Sequence, residues 1–90
     1  MDFEWDEDKA FANEQKHGVT FAEAAEVFGD QLSRSVPDPD HSRDEERFLI
    51  FGATAGGRNL VVSYSETEAR IRLISAREMT RQERRAYELE

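Results

Sequence analysis

The sequence predicts an α+β fold, and three features of it do so. A hairpin of two amphipathic strands runs from Arg58 to Arg77, a separate apolar run spans Arg47 to Ala53, and helix starts with capping boxes stand at Thr20 and Thr80. In the hairpin, Leu60-Val61-Val62 is a buried run, Glu66-Thr67-Glu68 a polar turn, and Ile71, Leu73 and Ile74 belong to the return strand. That strand also holds Arg70 and Arg72, with Arg77 just beyond. Alternate residues share a face, so Arg70 and Arg72 lie together on the side opposite Ile71 and Leu73. Two readings of that side stand open: a solvated face whose arginines pair with Glu66, Glu68 or Glu78, or a surface that holds anions.

The other elements follow in chain order. Phe3-Glu4-Trp5 alternates as a short edge strand does. Asp6 is a helix N-cap, with Glu7 and Asp8 at the positive end of a helix that runs to about Lys16. Gly18 closes it in the left-handed conformation, and His17 sits at the negative end of its dipole, as a cap residue or as a proton carrier titrating near neutrality. Thr20 paired with Glu23 opens a second helix with an apolar stripe of Phe21, Ala24, Ala25 and Phe28, ended by Gly29. Gln31 to Val36 forms an outer strand stopped by Pro37 and Pro39. Asp38, Asp40 and His41 stand close together there, but the two prolines and the lack of further His or Cys ligands argue for a turn and against a metal site.

Arg47 to Ala53 reads as a central strand buried on both faces, and Thr54-Ala55-Gly56-Gly57 as the turn that feeds Arg58. A last helix starts at Thr80-Arg81-Gln82-Glu83 and runs to about Leu89. It carries Arg81, Arg84, Arg85 and Tyr87, with too few apolar residues to bury by itself.

Ninety residues make one domain, residues 1–90, with a single core. The chain has no cysteine, which fits a reducing cytoplasm, and no apolar run near the length of a membrane span. Its net charge of −8 argues against nonspecific attraction to nucleic acid, DNA included. The charge is unevenly spread: residues 1–46 hold 4 basic and 14 acidic side chains, residues 47–90 hold 8 and 6, so −10 and +2 make −8. An acidic half suits a basic protein partner, and the other half can still take a phosphate at short range.

A set of short motifs runs through the chain in order: Phe3-Glu4-Trp5-Asp6, Lys16-His17-Gly18-Val19, Glu23-Ala24-Ala25, Asp38-Pro39-Asp40-His41-Ser42, Glu46-Arg47-Phe48, Gly57-Arg58, Arg70-Ile71-Arg72 and Ile74-Ser75-Ala76-Arg77. Taken together they resemble the BrnT ribonuclease toxins of type II toxin–antitoxin systems. The resemblance implies a RelE-like fold, a small curved and mostly antiparallel sheet packed against two N-terminal helices, with a C-terminal helix. It also implies a metal-independent endoribonuclease without cofactor that inhibits translation in the cytoplasm. The implied partner is a BrnA-like ribbon-helix-helix antitoxin, through which alone the toxin meets DNA. Many relatives carry a histidine where this chain has Tyr64, so the proton chemistry here differs or is lost.

RNA cleavage without a metal requires removal of the 2′-hydroxyl proton, stabilisation of the phosphorane and protonation of the leaving oxygen. Guanidinium groups serve the second need. Arg58, Arg72 and Arg77 are therefore the expected holders of the scissile phosphate, with Arg70, Arg47 and Arg81 supporting the RNA, Tyr64 positioning it and His17 or His41 moving protons. Arg72 and Arg77 differ in parity along an ideal strand, so the grouping needs a bulge or a strand end between them. The alternative is a ParE-like toxin that cuts no RNA, or an inactive protein-binding domain.

Overall fold

Local capping chemistry sets the helices. In the computed structural model, which describes residues 1–40 and 46–89, Asp6 accepts the amides of Asp8 at 2.8 Å and Lys9 at 3.1 Å and starts α1, Glu7–His17. Gly18 ends α1 at φ 69°, a value that costs a residue with a Cβ, and its amide returns to the Glu14 carbonyl at 2.8 Å. The proposed role of His41 lies outside the described residues.

The Thr20 hydroxyl accepts the Glu23 amide at 3.1 Å and starts α2, Phe21–Ala25. The Glu23 carboxylate takes Arg58 at 2.7 Å. The helix α2 is short and passes into a 3₁₀ turn, Glu26–Gly29. At Thr80 both halves of the box form, and they open α3, Arg81–Glu88.

Five strands make one mixed sheet: β1 Asp2–Glu4, β2 Arg34–Pro37, β3 Arg47–Ala53, β4 Asn59–Thr67 and β5 Arg70–Glu78, in the order β1-β5-β4-β3-β2. Only β1 runs parallel to its neighbour, β5. The centre of the sheet is β4, not β3. Leu60, Val61, Val62, Tyr64 and Ser65 of β4 are all buried, whereas β3 has the exposed edge strand β2 on its far side and buries fully only Ile50 and Gly52. The apolar run at Phe48-Leu49-Ile50-Phe51 suggested two covered faces; β3 has one.

That covered face carries α1 and α2. Phe21, Ala24 and Val27 meet Leu60, Val62, Leu73 and Ala76 there, each large side chain contributing about 1.5–3 kcal/mol by leaving water. Gly52 is needed for the 3₁₀ turn to lie on β3, since a Cβ would fall 2.8 Å from Val27 Cγ1. The buried Asn13 ties α1 to the sheet: its Nδ2 donates to the carbonyls of Val19 at 3.0 Å and Ala76 at 2.9 Å, and its Oδ1 accepts the Ala76 amide at 3.0 Å.

Between β4 and β5 the register slips. Ser63 pairs with Ser75 but Tyr64 pairs with Leu73, so Ile74 is an extra residue on β5. Its effect is on parity: Arg72, Ser75 and Arg77 end on the same side of the sheet, away from α1 and α2.

Candidate functional site on the arginine-lined sheet face

The strand registers place side chains in rows across this second face. Arg47 of β3, Ser65 of β4, Arg72 of β5 and Glu4 of β1 stand in one row. One step along the strands come Leu49, Ser63 and Ser75, then Phe51, Val61 and Arg77. On the other side of the row stand Thr67, Arg70 and Asp2. Neighbouring strands lie about 4.8 Å apart, so Arg47 and Arg72 leave the sheet about 10 Å from one another with the small Ser65 between them. Between these two guanidinium arms Ser65 itself is buried, so the arginines and not the hydroxyl reach the surface.

Carboxylates hold Arg70, Arg72 and Arg77 in place. Glu4 takes Arg72 at 3.0 Å and Arg70 at 3.4 Å. Arg77 forks onto both oxygens of Glu83 at 2.8 and 2.9 Å and also donates to the Glu78 carbonyl. The helix α3 lies over the Arg77 end of the face, where Phe51 and Arg34 line a groove with Ala86, Tyr87 and Leu89. Its last turn is fastened by the Tyr87 hydroxyl, which donates to Asp30 at 2.5 Å. Burial, and then Asp30, push the Tyr87 phenol up to about 12, while Tyr87, followed by the Ala53 and Leu32 amides, holds the Asp30 carboxyl below its usual value.

Four of the expected residues share this face: Arg47, Arg70, Arg72 and Arg77. Arg81 begins α3 as an exposed side chain that makes no ion pair among the described residues. Three others lie elsewhere. Arg58 reaches to the helical side, where it binds Glu23 at 2.7 Å, Glu78 at 2.9 Å and the Gly18 carbonyl at 3.2 Å. Glu78 is the largest cause that raises the Arg58 pKa above its already high value. His17 ends α1 beside Gly18 on that same side.

Tyr64 also faces the helices. Its ring lies 5.0 Å from Phe28 and 5.5 Å from Phe48, and its hydroxyl bonds Ser35 Oγ, so it has no free face on which a base could stack. A cradle of Arg58, Arg72 and Arg77 therefore does not form. The reason is parity: Arg58 precedes Asn59 at the start of β4 and falls on the face of Leu60's neighbour Glu78, opposite Arg77.

Two residues on the arginine face escaped the sequence reading. Glu4 is brought to Arg70 and Arg72 by the parallel β1–β5 pairing, across more than sixty positions of chain, a distance no local pattern bridges. Ser65 is buried, and its Oγ has no hydrogen-bond partner among the described residues. A lone unsatisfied hydroxyl between two arginines is the signal, and it requires the register to be seen.

The Arg77–Glu83 pair has a measurable pH signature. Arg77 first, with help from the Thr80 amide and against some desolvation, lowers the Glu83 carboxyl from 4.5 to about 2. A lowered folded pKa stabilises the fold above the unfolded value and is lost on acidification. We expect the α3 docking contributed by Glu83 to be complete above about pH 4.5 and to fade between there and pH 2. Circular dichroism and Tyr87 signals followed through that window check it, and Glu83→Gln removes the transition.

One comparison with known proteins shows the family, and another the fold. Residues 5–83 match the family model described as the ribonuclease toxin BrnT of type II toxin–antitoxin systems. Among solved structures, the crystal structure of the Brucella abortus ribonuclease toxin BrnT superposes with a TM-score of 0.71 at 23% identity, covering 90% of this chain and 99% of that one. At that identity the likeness speaks for the fold. No curated protein matches the sequence. With 79 of 90 residues inside the family model, the chain belongs to the BrnT ribonuclease toxin family of type II toxin–antitoxin systems.

Proposed function

We propose that this toxin is a metal-independent endoribonuclease that binds the scissile phosphate on the sheet face that carries Arg47 and Arg72, with Arg70 and Arg77 flanking it. The observation behind this reading is the Ile74 bulge, which gathers arginines of both parities onto one face of a protein whose net charge is −8. Their carboxylate pairs do not oppose it. Partly exposed ion pairs contribute about 0–1 kcal/mol, so a phosphodiester can take a guanidinium from Glu4.

In the reaction, the 2′-oxygen attacks phosphorus as the 5′-oxygen leaves, giving a 2′,3′-cyclic phosphate and a 5′-hydroxyl. Arg72 bears the charge that develops on the phosphorane, Glu4 released from Arg72 takes the 2′-hydroxyl proton, and water relays that proton from Glu4 to the leaving 5′-oxygen. Among the described residues no cluster of three or more His, Cys, Asp or Glu is arranged to hold a metal. We place the fold with the RelE-like toxins. Cleavage of cytoplasmic messages would inhibit translation until a BrnA-like ribbon-helix-helix antitoxin binds.

One observation favours a second reading, an inactive or ParE-like protein: the residue at the histidine position of relatives, Tyr64, is sealed in the core. A single experiment separates the two. Purified protein incubated with RNA in chelator is expected to leave cyclic-phosphate ends, and Glu4→Gln is expected to slow the cut without weakening RNA binding. Intact RNA together with inhibited DNA supercoiling would establish the second reading instead.

A further inference from the structure

A separate surface lies on the helical side of the sheet. Trp5, Ala10, Phe11, Phe21 and Ala22 line a groove of about 290 Å³ between α1 and α2. Its floor is aromatic: Phe21 is buried and meets Trp5 edge-to-face at 5.9 Å. Phe11 stands on its rim 67% exposed, without a place in the core cluster. Glu7, Ala10, Phe11 and Glu14 fall at successive helical spacings on one side of α1, so carboxylates bracket the apolar patch along its length. The bracket is part of a wider field. Residues 1–14 hold six acidic side chains, Asp2, Glu4, Asp6, Glu7, Asp8 and Glu14, against the single Lys9.

We infer that this groove docks a cationic segment of the antitoxin in which a bulky apolar side chain is flanked by lysines or arginines. Charge complementarity picks this occupant. An apolar knob fills the space over Phe21 and beside Phe11, and cations on either side meet Glu7 and Glu14. The volume has room for one large side chain. A second copy of this chain would bring its own acidic rim against Glu7 and Glu14, and RNA would meet carboxylates. The groove lies across the sheet from the arginines, so a segment anchored in it leaves Arg47 and Arg72 uncovered. The inference rests on membership of a toxin–antitoxin family and does not depend on the RNA chemistry.

Calorimetric titration of the whole toxin with the antitoxin of its own operon tests it. Phe11→Ser should weaken binding at least about 10-fold, and Glu7→Lys with Glu14→Lys at least about 100-fold, with the wild-type affinity falling as salt rises. Phe11 is exposed, so its replacement should leave the fold and RNA binding as in wild type. Trp5 is the chain's sole tryptophan and lines the groove, so its emission should shift on binding in the wild type. Unchanged antitoxin affinity in either variant overturns the inference, as does a wild-type dimer that Phe11→Ser dissociates. Arg72→Ala, which tests the RNA reading, should leave antitoxin affinity as it is, so the two can fail separately.

Discussion

Arg72→Ala is expected to lower RNA cleavage by about 100-fold or more, the loss typical of removing one preorganised donor to a developing oxyanion. Stability should change by no more than about 1 kcal/mol, because the side chain is 40% exposed and its ion pair with Glu4 is partly solvated. Arg72→Lys should recover only part of the activity. An ammonium keeps the charge but loses the planar fork that matches two phosphate oxygens. Arg77→Ala should behave differently. It removes the bidentate partner of Glu83, so activity and the anchoring of α3 fall together. Rates of cyclic-phosphate formation, measured beside thermal unfolding for each variant, distinguish these outcomes. Full cleavage by both Arg72→Ala and Arg77→Ala would remove the arginine face from the mechanism.

Asn13→Ala should have the largest effect on stability, a loss of about 3 kcal/mol or more. Asn13 is 7% exposed and is the bonding partner of three main-chain groups, the carbonyl of Val19 and both the amide and the carbonyl of Ala76. Alanine leaves polar groups buried without their partner, each worth about 1–3 kcal/mol, and opens a small void as well. A domain of this size has about 5–10 kcal/mol in all, so the unfolding temperature should fall by more than about 10 °C. Urea titration checks it: the midpoint falls while the slope is unchanged. Asn13→Asp should be no rescue, since a carboxylate can accept from the Ala76 amide but cannot donate to the two carbonyls.

How much of this was legible in the sequence depended on how local each signal was. The caps at Asp6, Gly18 and Thr80–Glu83 are written within a few residues, and the structure places them as read. Parity alone showed that a bulge or a strand end must fall between Arg72 and Arg77; that it is a bulge, at Ile74, the β4–β5 register fixes. Asn13 followed an apolar stretch and looked like an ordinary helix residue; its role depends on Ala76, far along the chain. The same holds for the site. Arg70 and Arg72 could be put on one face by counting, whereas the side taken by Arg58 and Tyr64 follows from which face the helices cover. Strand order was misread for a related reason. The densest apolar run, in β3, looked central, but burial depends on neighbours as much as on composition, and β3 has the exposed β2 beside it.

Glu83 serves two masters: it closes the first turn of α3 through the Thr80 amide at 2.8 Å and grips Arg77 at 2.8 Å with the same oxygen. Helix anchoring and the availability of the Arg77 guanidinium are thereby thermodynamically linked. Whatever draws Arg77 away loosens the start of the C-terminal segment, and whatever firms that segment makes Arg77 harder to recruit, in equal measure.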